Sequence, residues 1–309
     1  MKKKIIVGMA VNPEIYFSYN VKDGEQKHKL IDFEINLSGT SGNIATALSF
    51  LGYRSTLLGL IGVNGTHEDL LIKNFNPTGF DFLKLEVLEN SSLSLIPNDN
   101  FNQSVVVGRR GLVLSERFQE TLNMIKNLPK SFYCVLTGTL INEVELGIAF
   151  LGQGGCRIFT PNRALCKDVL GLKRILPSVD ILVQNLDEHY DLMQSLNLTE
   201  ISQIHNYDKI APYLYVVTDE ERGGFFSFGG ITSRFNAFDV KGKKFPTGAG
   251  DWFLSALIYK FLHFDEDPKN LDFSKIQECI NFASKVAGIK VTFAGATKGP
   301  TKEEILSYL

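Results

Sequence analysis

The segment with the most chemical content is Phe245-Pro246-Thr247-Gly248-Ala249-Gly250-Asp251-Trp252-Phe253, which runs into an apolar stretch of helical length. Gly248 and Gly250 let the backbone turn tightly and keep side chains out of its approach. The first amides of a helix have no intrahelical acceptor and lie at the positive end of its dipole, so a helix opening at Ala249 offers a seat for an anion. Asp251, in the first turn, would stand beside that anion, where a carboxylate can take a proton from an attacking hydroxyl. The same residues also fit a plain glycine turn, with Asp251 as a favourable first-turn acid.

A second segment, Leu37-Ser38-Gly39-Thr40-Ser41-Gly42-Asn43, leads a loop of small residues into the amphipathic run that ends at Leu51-Gly52. Small residues let a ligand reach backbone, and Asn43 offers a donor and an acceptor to hydroxyl groups. A capped helix, with Ser41 or Asn43 as the cap, explains the same pattern.

Both segments need a scaffold that brings distant loops together. Short apolar runs at 5–10, 55–61, 133–137, 156–159, 181–184 and 214–218 read as core strands. Helical patterns fall at 42–51, 68–75, 116–126, 144–151, 187–195, 249–262 and 274–290. Their alternation predicts an α/β fold: a mostly parallel central sheet between two layers of helices. Segments 13–37 and 83–110 break the alternation, strand-like and punctuated at Lys22-Asp23-Gly24 and Pro97-Asn98-Asp99-Asn100. They read either as surface hairpins or as strands of a small lid over the site. No linker divides the chain, so residues 1–309 read as one α/β domain carrying these excursions.

Composition narrows the function classes. The net charge is −2 with no long Lys/Arg block, which argues against a nucleic-acid surface. Lys2-Lys3-Lys4 and the apolar run behind it imitate an export signal, but the run is short and Asn12-Pro13-Glu14 follows, which predicts a buried first strand. No apolar stretch reaches the ~18 residues of a membrane span. Cys134, Cys156, Cys166 and Cys279 are scattered without C-x-x-C, as expected of free thiols in a cytoplasmic protein. The five histidines have no metal-ligand spacing, and His189 and His205 read as surface polar residues. Neither G-x-G-x-x-G after the first strand nor G-x-x-x-x-G-K-[S/T] occurs, which disfavours a nicotinamide oxidoreductase and a P-loop kinase.

In this order, the two glycine-bearing segments resemble those of the ribokinase/PfkB family of carbohydrate kinases. Thr247-Gly248-Ala249-Gly250-Asp251 and Phe253 match its C-terminal signature, and Gly39 with Asn43 match its N-terminal one. Gly59-Leu60-Ile61-Gly62-Val63-Asn64, Pro161-Asn162-Arg163, Asn185-Leu186-Asp187-Glu188, Thr218 with Arg222-Gly223-Gly224, and Gly295-Ala296 resemble further family segments in the expected order. The resemblance implies a ribokinase-like three-layer fold with a small β-strand lid, ATP and Mg²⁺ as cofactors, and a sugar or nucleoside substrate. It implies Asp251 as general base beside Gly248, Ala249 and Gly250, and substrate contacts from Asn12, Gly39, Asn43, Asn162 and Arg163. Nucleotide contacts would come from Asn185, Thr218, Gly223, Thr247, Gly248, Gly250 and Gly295, with Glu188 organising the metal through water. A homodimer formed through the lid is also implied. Taken alone, Asn185–Glu188 also fits a helix cap, Thr218 a strand end, and Asn162-Arg163 an ordinary loop.

The departures from the family gather at the substrate end. Asn12 stands where the family carries an Asp, Ser38 replaces the first Gly of the loop, and Asn64 replaces another Asp. Asp219-Glu220-Glu221 fills a turn that usually holds a Gly. Phe245-Pro246 replaces an Asp-Thr pair, and that Asp belongs to a monovalent-cation site in some members. These changes motivate an alternative reading, a catalytically weakened relative acting as a metabolite sensor or partner. Arg109 and Arg110 fit either a grip on a substrate phosphate or acid, or a solvated pair at a turn.

Overall fold

A computed structural model describes residues 3–20, 29–63, 65, 67–97, 105–108, 110–138, 143–200, 203, 212–242 and 244–308. Lys22-Asp23-Gly24, Asn64, Asn98-Asp99-Asn100, Arg109 and His205 lie outside the described residues.

The strands are β1 (Ile5–Met9), β2 (Asn12–Asn20), β3 (Lys29–Ser38), β4 (Thr56–Gly62), β5 (Asp81–Leu88), β6 (Leu93–Pro97), β7 (Val105–Gly108), β8 (Ser131–Thr137), β9 (Gly154–Thr160), β10 (Ile181–Asn185), β11 (Leu214–Thr218), β12 (Gly224–Phe228) and β13 (Ile231–Phe235). The helices are α1 (Gly39–Phe50), α2 (His67–Asn74), α3 (Phe118–Lys126), α4 (Val144–Leu151), α5 (Arg163–Cys166), α6 (Val169–Ile175), α7 (Leu186–Leu196), α8 (Ala249–Leu262), α9 (Phe273–Lys290) and α10 (Lys302–Ser307).

Nine strands form the main sheet in the order β13-β12-β11-β10-β9-β8-β1-β4-β5. Pairing is parallel from β5 through β11, and the β11-β12-β13 edge is antiparallel. The buried runs of β1 and β8 show why. Ile5, Val7, Tyr133 and Val135 pack into the core that also holds Trp252, Phe261 and Ile280. Ile6, Cys134 and Leu136 point into the opposite core with Phe150 and Leu172. Alternate residues thus serve opposite faces of one strand, as the period of two requires. Burying both faces, at roughly 1.5–3 kcal/mol for each large aliphatic side chain, ties the sheet to both helical layers.

The chain runs from β1 out to β4 and β5, then crosses back to β8 and continues to β11. The order therefore reverses beside β1, and a crevice opens at the carboxyl ends of the strands there. Over this end lies a second sheet of four strands, β3-β2-β6-β7.

Segment 13–37 supplies β2 and β3 of that small sheet. Segment 83–110 divides, contrary to its reading as lid throughout. Its first part, within β5, pairs in parallel with β4 at the edge of the main sheet, and only β6 and β7 join the small one. The cause is burial, because Leu85, Val87 and Leu88 fill the second core. The helices α5, α6 and α10 were not legible as helices; they are 4, 7 and 6 residues long, too short for a period to register.

Candidate active site

Most of the predicted site residues gather at the carboxyl ends of the strands. Asn12 follows β1, Asn162 follows β9, Asn185 ends β10 and Thr218 ends β11. The two glycine-bearing loops, far apart in sequence, meet directly: Asn43 Nδ2 donates to Asp251 Oδ2 at 2.7 Å.

The geometry around Asn43 replaces the capping explanation. Ser41 and Asn43 lie inside α1, whose cap position is Ser38. Ser38 Oγ donates to Asn43 Oδ1 at 2.6 Å, which turns the amide nitrogen toward Asp251. Ser41 Oγ lies 2.5 Å from Thr137 Oγ1, tying α1 to the end of β8. Ser38, a departure from the family pattern, is thus the residue that orients Asn43. Gly39 has φ +72, and a Cβ there would lie 2.6 Å from Asn12 Oδ1, so the two predicted substrate contacts are packed together. Asn12 Nδ2 also donates to Ser94 Oγ of β6 at 3.3 Å.

The turn before α8 has the form expected of an anion seat. Gly248 adopts φ +82 and a Cβ on it would sit 2.8 Å from Ala296 Cα, so only glycine fits. The Ala249 amide donates to Pro246 O at 3.0 Å, whereas those of Gly250 and Asp251 find no acceptor among the described residues. A Cβ on Gly250 would meet nothing within 4 Å, which leaves the approach to these amides open. Thr247 is exposed in the same turn. Trp252, wholly buried behind it, donates through Nε1 to Ala296 O at 3.1 Å and fixes the turn against loop 291–296.

Two carboxyl groups in the crevice are perturbed. Burial pushes Asp251 up to about 7; the Asn43 hydrogen bond pulls it down, and the charges of Glu14 and Glu188 push it further up. Burial likewise raises Glu188 to about 7, against the hydrogen bonds from Asn185. Asn185 and Glu188 form a reciprocal capping box at the start of α7, with bonds of 2.9 and 3.0 Å. The helix-cap explanation of this pair therefore holds, and only Glu188 Oε2 is used by it among the described residues.

Other predicted residues have structural partners that explain them. Asn162 Oδ1 caps α5 by accepting from the Leu165 amide at 2.9 Å, and Asn162 Nδ2 is 3.8 Å from where a Cβ on Gly138 would lie. Arg163 is exposed and paired with Asp191 at 2.9 Å and Asp187 at 3.4 Å. Gly223 has φ +86 and a Cβ there would lie 2.2 Å from Phe235 O, so hairpin packing accounts for the glycine. Thr218 Oγ1 donates to Gln184 O at 3.4 Å. In the acidic turn, Asp219 pairs with Arg222 at 2.6 Å while Glu220 and Glu221 are exposed. Arg110 grips buried Glu143 with two bonds of 2.8 and 2.9 Å. His189 is buried, not a surface residue, and its Nδ1 lies 2.7 Å from Tyr215 Oη.

Three site residues carried no signature. Tyr16 of β2 donates to Glu14 Oε2 at 2.6 Å and accepts from the Ala296 amide at 3.0 Å, bridging the small sheet to the loop that holds Gly295. A Cβ on Gly295 would lie 3.2 Å from the Tyr16 ring. Alternation in 12–20 predicts a strand but not what its side chains face. The third is Lys290, a charged residue on the buried stripe of α9 formed by Ile276, Ile280, Ala283 and Val286. A cation on an apolar helical face was the available signal. A groove of about 770 Å³, lined by Tyr259, His263 and Phe282, lies along the distal turns of α8 and includes neither Asn43 nor Asp251.

The fold is shared with sugar and nucleoside kinases. A ribokinase from Arabidopsis thaliana, solved with ribose and ATP, is 16% identical, with 99% of this chain and 98% of that one covered at a TM-score of 0.67. A Burkholderia thailandensis nucleoside kinase solved with inosine is 17% identical, with 99% and 95% covered and a TM-score of 0.69. Phosphofructokinase-2 from Escherichia coli, solved with potassium, is 15% identical, with 99% and 98% covered and a TM-score of 0.71. No sequence among curated proteins matches significantly. The family model described as pfkB family carbohydrate kinase matches residues 1–303, and so takes in both glycine loops and the crevice they share. By that match the chain belongs to the pfkB family of carbohydrate kinases.

Proposed function

We propose that this chain transfers the terminal phosphate of ATP to a hydroxyl of a sugar or nucleoside, with Asp251 as general base. The observation that carries the reading is the 2.7 Å bond between Asn43 and Asp251, which puts the small-residue loop and the anion turn in one crevice. An acceptor lying against Asn12, Gly39 and Asn43 has its hydroxyl beside the Asp251 carboxyl group. Asp251 takes the hydroxyl proton as that oxygen bonds to the γ-phosphorus, the bond to the β-phosphate oxygen breaks, and ADP leaves. A carboxyl group held at about 7 is matched to proton transfer near neutral pH. The free amides of Gly250 and Asp251 hold phosphate oxygens as charge builds on them. Strands β2 and β3 shield the crevice from water through the Tyr16 bridge to Ala296.

Among the described residues, no three His, Cys, Asp or Glu side chains gather as a metal site. Mg²⁺ suits what is present, since it binds through one or two carboxylates together with substrate phosphates. Glu188, raised by burial and with Oε1 outside the capping bond, is the group that would hold it through water. When bound, it neutralises charge on the β- and γ-phosphates.

A monovalent metal ion is another matter. Backbone carbonyls beside a phosphate turn are the oxygen ligands such an ion takes. Here the carbonyls of Phe293 and Gly295 already accept from Lys290 Nζ, and Phe245 stands where the family motif has Asp. These residues do not fit an added cation.

The departures that suggest a binding-only protein have places in this scheme. Asn12 is held by Ser94, Ser38 orients Asn43, and Glu220 is exposed in a turn where Arg222 pairs with Asp219. A panel of sugars and nucleosides with ATP and Mg²⁺, read as ADP formation, tests the proposal. One acceptor turned over by wild type and not by Asp251→Asn is expected. Turnover retained by that variant would refute the role of Asp251.

A further inference from the structure

The mechanism above leaves Lys290 without a task. Its side chain is 0% exposed, and Nζ donates to Phe293 O at 3.0 Å and Gly295 O at 2.8 Å. A wholly buried ammonium is costly unless its donors are met, and here two of the three are met by backbone carbonyls rather than by a carboxylate. The loop they belong to is the one on which the anion turn rests. A Cβ on Gly248 would strike Ala296, Trp252 Nε1 donates to Ala296 O, and the Phe245 amide donates to Val291 O at 2.6 Å. Lys290 is also near enough to Asp251 for each charge to favour the other.

We infer that Lys290 is a built-in cation for the phosphate-binding turn. Its ammonium does the work of a monovalent metal ion: it gathers the carbonyls of Phe293 and Gly295, holds that loop under Gly248 and adds positive charge near the bound phosphates. Nucleotide binding is then indifferent to the monovalent cation in solution. Lys290 is a positioning residue, acting through Ala296 and the turn. The inference rests on the kinase reading.

The test is binding of the non-hydrolysable ATP analogue AMP-PNP with Mg²⁺, by titration calorimetry at constant ionic strength in tetramethylammonium, sodium, potassium and ammonium chlorides. Wild-type affinity is expected to agree across the four salts within about twofold; potassium activation of about tenfold or more would overturn the inference. Lys290→Ala leaves a hole facing two carbonyls. It should lose about tenfold or more in tetramethylammonium and recover in ammonium or potassium. Lys290→Met fills the hole without charge and should not recover. An alanine variant deaf to every cation would remove the role of the ammonium. Should the variants fail to fold, the wild-type salt series decides alone. Binding that needs potassium sinks the Lys290 role and leaves the kinase intact; no nucleotide binding in any salt sinks the kinase reading, and this role with it.

Discussion

Replacing Asp251 with Asn should raise stability at neutral pH while it abolishes most turnover. The carboxyl group has a folded-state pKa of about 7 against 3.8 when unperturbed, chiefly through burial. Between those two values the folded protein holds a proton that the unfolded chain has released, so stability falls by roughly 1.4 kcal/mol for each pH unit. The loss is complete just above pH 7 and amounts to at most about 4 kcal/mol. Below the unfolded value both states are neutral and the penalty vanishes. Asparagine cannot ionise, and its Oδ1 can still accept from Asn43, so Asp251→Asn should escape the penalty. Urea unfolding followed from about pH 4 to pH 8 should show the two proteins diverging as pH rises, with the variant ahead. Turnover, measured with whichever acceptor releases ADP, should fall by about 10²–10⁴, the usual share of a general base. Parallel stability curves would mean that Asp251 is not held in a desolvated position, and the assignment of it as a base matched to neutral pH would go with them.

The remaining predictions isolate single contacts. In wild type, kcat/KM should climb with pH through about 7 as Asp251 loses its proton. Asn43→Ala removes the bond that lowers this pKa, so the rising limb should move to more alkaline pH, and an unmoved profile would contradict the coupling. Gly250→Val places its side chain in open space, so the unfolding midpoint should change by less than ~0.5 kcal/mol equivalent. Calorimetry should nonetheless show nucleotide affinity falling about 10- to 100-fold as the amides are screened, and full affinity would exclude the anion seat. Glu143→Ala strands Arg110 in the interior and should cost about 3–5 kcal/mol in urea unfolding. A stable variant with an altered acceptor KM would point back to Arg110 as a substrate grip.

How far the sequence reaches depends on the length scale of each signal. The β1 and β10 strands and the α4, α8 and α9 helices were legible because their patterns are strong and local: continuous apolar runs, or 3.6-residue stripes bounded by caps such as Asp272. Segment 83–88 read correctly as strand but was assigned to the wrong sheet. Alternation says that a face is buried, not which partner buries it, and register with β4 is a long-range property. The same limit separates Arg163 from Asn43. Both stand in the first turns of helices, yet the acids of α7 pair with Arg163, while Ser38 turns Asn43 toward Asp251.

The departures from the family pattern follow a common physical logic. Replacing a residue that carried charge or made close backbone contact leaves a group whose bonding must be met elsewhere. Ser38 meets it by giving its hydroxyl to Asn43, and Asp219 by folding back onto Arg222. Phe245 removes a carboxylate near the anion turn, and a buried ammonium occupies the neighbouring carbonyls. Motif matching marks these positions as losses, because it scores one column at a time. In the folded chain the bonding is restored from a different element each time. The helix cap, the β11–β12 turn and the C-terminal end of α9 therefore have to be judged together with the signature they support.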